Sequence, residues 1–345
     1  MKSFLDATRV ACALALVAGV WTGAAAQTAP TASAGSAPSA AAAAAGTRLV
    51  VLGTQGGPLP AGHRAQPANA IVVQGRIYLV DAGNGVVRQL QQAGLDYRRV
   101  ERIFITHNHD DHNADWGTLM GLQWSTGRRS EVHVHGPEGT ESMLQGFLQY
   151  FAPNARIRSS DTRMSETPAQ LFKAHDIREA GLVYQDELIK VTAVENCHFH
   201  FDASSLAGAA RDKSFAYRVQ TPDRVIVFSG DTGKCANLTD FARGADLLVH
   251  EVVSLPLIAD SLRRFMASQQ GKVPPGLFDE LMRHMADDHT VPEDIGRLAA
   301  AAGVKKVVLT HFVPGRDADP DSAYVDGVAL HYKGPVVAAR DLMEF

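Results

Sequence analysis

Thr106-His107-Asn108-His109-Asp110-Asp111-His112 is a dense cluster of metal-type donors in a chain of 345 residues with fourteen histidines. It emerges from Glu101–Thr106 (E-R-I-F-I-T), a β-branched, apolar run with the composition of a buried strand. His107, His109, Asp111 and His112 stand within six residues, where a strand gives way to a tight loop, so the four can converge on one point. Neutral imidazoles with a carboxylate suit zinc, and a mix of His and Asp can hold two ions when a carboxylate bridges them. Surface or core histidines are the plain alternative, and a run this dense directly after a strand argues against it.

On both sides the chain reads as short strands bounded by Gly, Pro and Asn. Upstream are Arg48–Gly53 (R-L-V-V-L-G), Ala70–Val73 and Ile77–Val80, followed by a helical segment, Gly85–Ala93. Downstream strands are predicted at Val132–His135, Ile189–Val194, Phe215–Gln220, Val225–Ser229, Leu247–Val249, Val307–Thr310 and Val336–Ala339. Met143–Tyr150 and Val291–Ala302 read as helices. Hairpins in runs, with helices between and after, predict an α+β domain of two antiparallel-rich sheets covered by helices. Ser254–His289 is polar, helical and interrupted by proline, and reads as an insertion over the site.

Composition narrows the function classes. With 46% hydrophobic and 20% charged residues and three cysteines, the chain is no disulfide scaffold, collagen or wholly disordered polymer. A formal charge of −4 argues against a protein that grips nucleic acid electrostatically. Residues 1–26 read as a signal peptide: Lys2 and Arg9 precede or flank the apolar run Val10–Val20, and Ala24-Ala25-Ala26 is a small-residue cleavage site. That run is shorter than the about 20 residues of a membrane span. Cys12 lies inside it without the context of a lipoprotein cleavage box. The expectation is a periplasmic or secreted protein with no stable membrane anchor after processing. Loss of Lys2, Asp6 and Arg9 takes the formal charge from −4 to −5. Residues 27–46, rich in Ala, Ser, Thr, Pro and Gly, read as a disordered linker, and 47–345 as the folded domain.

H-x-H-x-D-H resembles the signature of the metallo-β-lactamase-fold hydrolases. From about residue 47 onward further motifs resemble the ribonuclease Z and arylsulfatase-like branch. These are Leu52-Gly53-Thr54 with Gly56-Gly57-Pro58, Leu79-Val80-Asp81-Ala82-Gly83, Asn196-Cys197-His198, Ser229-Gly230-Asp231-Thr232 and Leu309-Thr310-His311-Phe312. The resemblance implies a four-layer αββα sandwich. It also implies two divalent metal ions, Zn2+ first, with Mn2+ or Fe accepted by the same donors. One ion would be held by His107, His109 and His198, the other by Asp111, His112 and His311, with Asp231 bridging. His200 competes with His198, and the resemblance favours His198. His133 and His135 resemble a structural strand rather than a ligand pair.

The implied chemistry is ester hydrolysis by a hydroxide shared between the ions, oriented by Asp111 as catalytic ligand. His289, in a segment resembling one that carries a non-ligand catalytic histidine, would act as general acid. Asp81, His250 and Glu251 would orient ligands, and His63 and Arg64 would bind a substrate anion at the pocket rim. Cys197 and Cys235 each lie close to an implied ligand and are expected near each other, as a disulfide or as buried thiols. Two departures stand out. Asp115 occupies a position where ribonuclease Z relatives usually have Gly. Asp231 counts against β-lactam hydrolysis, because zinc β-lactamases do not usually use such a bridge.

The function expected is therefore a secreted dinuclear hydrolase of a phosphodiester, sulfate ester or similar small ester. Transfer-RNA processing fits poorly with an export signal, an acidic chain and the lack of a long basic arm. The alternatives are a lactonase or β-lactam hydrolase and, in another class, a non-catalytic metal- or ligand-binding protein. A homodimer is common for folds of this kind.

Overall fold

Successive residues of the first strands alternate between two different cores, and that alternation builds the layers. In β1 (Arg48–Gly53), β2 (Ala68–Val73) and β3 (Arg76–Ala82), Val50, Leu52, Ala70 and Leu79 join one core. Their neighbours Leu49, Val51, Ile71, Tyr78 and Val80 join the other. Side chains of a strand point to opposite faces in turn, so strands apolar at every position are buried on both sides. The computed structural model describes residues 46–345 apart from 163, 203, 211 and 270–273. The expected signal peptide, and the expected linker up to residue 45, lie outside the described residues.

With β4 (Val100–Phe104), β5 (Val132–Pro137) and β6 (Phe172–Ile177), these strands make the first sheet. The second contains β7 (Gly181–Gln185), β8 (Lys190–Glu195), β9 (Phe215–Gln220), β10 (Val225–Phe228), β11 (Leu247–Val253), β12 (Val307–Val313) and β13 (Val336–Ala338). The chain then returns to the edge of the first sheet as β14 (Met343–Glu344), beside β1. One face of the first sheet packs on Trp116, Leu119, Met120, Trp124 and Leu144 from its helices. Its other face meets Phe215, Tyr217, Val219 and Ile226 of the second sheet. The outer face of the second sheet is covered by Ile295, Ala299, Tyr324 and Val328. This is the expected αββα order.

The sheets are mixed rather than antiparallel-rich. Each has three antiparallel and three parallel pairings, the parallel ones linking β3 to β6 and β10 to β13. The cause is the crossovers: helices such as Val86–Gln92, Thr140–Asp161 and Pro292–Ala302 carry the chain back to the end where the preceding strand began. Two strands absent from the sequence reading, β6 (F-K-A-H-D-I) and β7 (G-L-V-Y-Q), are edge strands. Half-exposed and carrying polar residues, they lack the apolar run that marks an interior strand. The expected insertion is a pair of helices, Leu255–Ser268 and Leu277–Asp288. They pack through Ile258, Leu262, Met282 and Met285 onto Val253 and Val313.

Cys197 and Cys235 form a disulfide with a Cα–Cα distance of 5.4 Å across 38 residues. Beside it Cys197 N–H donates to Thr232 Oγ1 and Gly233 N–H to the Cys197 carbonyl, so the loops carrying His198 and Asp231 are tied together. Reduction, or Cys235→Ser, is expected to lower stability by about 2–4 kcal/mol. Urea unfolding of wild type with and without reductant checks this, and coincident midpoints would show that the bridge contributes nothing.

Candidate metal centre

Four chain segments bring their donors to one place between the sheets. His107 follows β4, Asp111 and His112 lie in the short helix Asp110–Asn113, His198 follows β8, Asp231 follows β10, and His311 is in β12. Close backbone approach makes this possible: a Cβ at Gly83 would lie 2.1 Å from the Asp111 carbonyl, and one at Gly56 2.7 Å from His311 Nδ1. Asp81 and His311 hold left-handed backbone, with φ of 62° and 46°.

Two donor groups result. In the first, His107 Nε2 is 3.0 Å and His198 Nε2 3.2 Å from His109 Nδ1. In the second, Asp111, His112, Asp231 and His311 converge, with His112 Nε2 3.2 Å from Asp231 Oδ1 and His311 Nε2 3.0 Å from Asp231 Oδ2. Asp231 Oδ2 also lies 3.9 Å from His107 Nε2, so this carboxylate touches both groups, as expected of a bridge. All are buried except His109, which faces solvent.

The electrostatics match. Burial pushes His107 well below the usual imidazole range and His198 down to about 4. Burial also opposes charge on His112 and His311, yet carboxylates win there. Asp231, Asp111 and Asp81 hold His112 well above its ordinary value, and Asp231 with Asp111 raises His311 to about 10. The carboxylates therefore demand positive charge among them, which protonated imidazoles or divalent cations can supply. His112 Nε2 and Asp231 Oδ1 are buried without a well-formed hydrogen bond, as donors aimed at a common point would be. Imidazole nitrogens with carboxylate oxygens fit zinc and related divalent ions.

The supporting residues sort differently from expectation. Asp81 does orient a donor: its Oδ2 is 2.9 Å from His112 Nδ1, while its Oδ1 accepts from Thr106 N–H at 2.8 Å. Glu251 is also in place, accepting from the N–H groups of Thr232 and Thr290 and lying 3.0 Å from His289 Nδ1. That carboxylate outweighs burial and raises the pKa of His289. His250 is a correction: its Nδ1 pairs with the Glu251 carbonyl, and its ring lines a separate cavity with Cys235 and Arg297. Neighbours on a strand face opposite ways, so Glu251 and His250 cannot both serve the site.

His63 and Arg64 are corrections too. Neither lines the cavity; His63 Nε2 pairs with the Gly315 carbonyl, and Arg64 donates to Thr54 Oγ1 and lies over the Phe312 ring. A Pro/Gly loop does shape the pocket, but through Gln55, Gly56, Gly57 and Leu59. Asp115 accepts from Gly85 N–H at 2.7 Å and so fastens the start of helix Val86–Gln92. His200 is exposed and pairs with Asp288, leaving His198 as the converging donor.

His133 and His135 stand apart from the centre, as the sequence suggested. They stack with His175 of β6, the His135–His175 centroids being 4.5 Å apart. Burial first, then the neighbouring His175 and Arg102, holds His135 at about 3. The folded state thus favours neutral His135 while the unfolded chain protonates near pH 6.5. Its contribution is complete above that pH and is lost as pH falls toward 3, on the order of a few kcal/mol. His135→Phe is expected to flatten the acid decline in urea stability relative to wild type. Parallel stability–pH curves would contradict this.

Beside the donors lies a cavity of about 420 Å³, whose lining includes His109, Asp111, His198, Asp231 and His289. Ile258, Met285, Val313 and Pro314 give it an apolar wall. No Lys or Arg is among the described residues that line it.

The family of the beta-lactamase superfamily domain matches residues 76–312. The chain belongs to the beta-lactamase superfamily. A ribonuclease Z of Mycobacterium sp. (strain KMS) is 28% identical over 277 residues, covering 79% of this chain and 87% of the relative. Among solved structures, the metallo-beta-lactamase fold protein YhfI from Bacillus subtilis superposes with a TM-score of 0.61 at 17% identity, covering 87% of this chain and 98% of that one. Human tRNase Z, short form, gives 0.58 at 21% identity, covering 86% and 98%. The chain is thus a hydrolase of the metallo-β-lactamase fold. The structure brings together the seven residues read from the sequence as donors; the sequence reading did not single out His284, Phe199 and Phe201, which border the centre.

Proposed function

We propose that this superfamily member is a dinuclear metal-dependent hydrolase of a small phosphodiester or sulfate ester. The observation that carries the reading is Asp231, which touches two separate donor groups beside a histidine held by a glutamate. His107, His109 and His198 would hold one ion, Asp111, His112 and His311 the other, and Asp231 both, with zinc best suited to the donors. When bound, such ions polarise the electrophile and lower the pKa of a water.

The chain's own groups do the rest. Asp111 lines the cavity and accepts a proton or hydrogen bond from the attacking water. Glu251 fixes the His289 ring through Nδ1, which leaves Nε2 to give a proton to the departing oxygen. The apolar wall excludes water and favours an apolar substituent on the substrate. The relatives' name, ribonuclease Z, points to RNA. A cavity whose described lining has no Lys or Arg suits a small substrate of low charge better than a polyanion. The disulfide supports folding in an oxidising compartment, in keeping with export to the periplasm or beyond.

Metal content of the dialysed protein, run alongside hydrolysis of bis(p-nitrophenyl) phosphate, p-nitrophenyl sulfate, a simple lactone and nitrocefin, tests the reading. About two ions per chain with diester or sulfate turnover is expected. Turnover confined to the lactone or nitrocefin would overturn the substrate class, and no tightly bound metal with no activity after zinc or manganese is added would overturn the hydrolase.

A further inference from the structure

A second cleft, about 240 Å³, adjoins the centre; His109 and His198 line it, His289 does not, and two stacked rings form part of its wall. Phe199 packs on three of the donors, its centroid 4.8 Å from His198, 5.4 Å from His109 and 5.8 Å from His107. Phe201 continues the stack at 4.7 Å with an interplanar angle of 27°, and is 44% exposed. His200 and His284 flank the cleft, and Asp288 pairs with both, one oxygen 2.7 Å from His200 Nδ1 and the other against His284 Nδ1.

We propose that this cleft seats a flat aromatic group on the substrate, namely the arm that a phosphodiester keeps after cleavage. The inference rests on the hydrolase reading above and narrows its substrate. His289 lines the 420 Å³ chamber and is not among the residues lining the cleft. The oxygen that departs must lie by His289 to take its proton, so the leaving arm occupies the chamber and the retained arm is left to the cleft. Both spaces share His109, His198 and His284. Two compartments at one centre fit a diester with two substituents, whereas a sulfate monoester has one. The cleft volume exceeds the about 150 Å³ of a cavity that takes benzene, so a single ring fits with room to spare. Charge agrees: no Lys or Arg is among the described residues lining either space, and a diester brings one negative charge, not several.

The reaction balances without a further reactant. Water adds to phosphorus and the bond to the chamber-side oxygen breaks. That oxygen departs with the His289 proton, the proton that Asp111 takes from the water passes to solvent, His289 regains one from solvent, and the aromatic monoester remains in the cleft.

The test uses full-length, zinc-loaded protein with phenyl p-nitrophenyl phosphate and methyl p-nitrophenyl phosphate, which share a leaving group and differ in the retained arm. Wild type is expected to prefer the phenyl ester by about tenfold or more in kcat/KM, mainly through KM. That ratio falls about tenfold in Phe201→Ala and is kept by Phe201→Trp, which preserves a stacking face. Calorimetric binding of phenyl phosphate against methyl phosphate reads the same preference without turnover. Diester turnover with the same ratio in wild type and Phe201→Ala overturns the cleft and leaves the hydrolase. A binding preference lost in Phe201→Ala, with no diester turned over by wild type, leaves the cleft and overturns the hydrolase. Absence of both overturns both.

Discussion

Asp231→Ala leaves fewer than two divalent ions per chain after dialysis and lowers ester hydrolysis on the order of 100-fold or more. Loss of a residue that merely orients a ligand costs about 10- to 100-fold in metal affinity or activity, and Asp231 is itself a donor. Its two oxygens lie 3.2 Å from His112, 3.0 Å from His311 and 3.9 Å from His107, so this one carboxylate reaches donors of both groups. Asp231→Asn separates charge from shape: it keeps the volume but gives up the anion that neutralises the cations. Elemental analysis of the dialysed variants beside wild type decides the matter. Two ions in Asp231→Ala with an unchanged rate would remove the bridge from the mechanism.

His289→Ala, by contrast, keeps the metal content near wild type while kcat falls on the order of 100-fold or more. His289 is 7% exposed, borders the cavity, and is held by a Glu251 oxygen at 3.0 Å. Because Glu251 raises the His289 pKa, the acid form persists to a higher pH than an ordinary imidazole allows. Activity that depends on this proton is present below the raised pKa and declines as pH rises through it. Wild type should therefore show an alkaline decline in kcat that His289→Ala lacks. Glu251→Gln should move the decline to lower pH. A His289→Ala protein short of metal would instead make this histidine a ligand, and an unaltered kcat would leave it a structural neighbour of Glu251.

The parts of the site that could be read from sequence were those written in adjacent letters. His107, His109, Asp111 and His112 leave one strand end together, so local geometry almost dictates their convergence. His198, Asp231 and His311 are 33 and 80 residues apart in turn and were placed by motif resemblance, since no local rule brings them together. Long-range placement is also where the reading failed. His250 and Glu251 look equivalent as letters, but the strand's pleat sends only Glu251 to the centre. His63 and Arg64 sit in a loop that does reach the pocket, yet Arg64 turns inward to Thr54 and Phe312. Interior strands announced themselves by apolar runs. The edge strands β6 and β7 did not, because a half-solvated strand needs no such run.

The left-handed backbone at Asp81 and His311 bears on how this protein could be engineered. An L residue held there costs on the order of 1–3 kcal/mol, and glycine would relieve it. Asp81 orients His112, and His311 touches both Asp111 and Asp231, so glycine at either place would remove a working side chain. Glycine would relax the backbone but leave Thr106 N–H, or the Asp111 and Asp231 carboxylates, without their buried partner, so the strain is not simply recoverable as stability. The same two side chains therefore carry both the fold's local charge balance and the order of the donors, and variants at either position have to be read for folding and for turnover together.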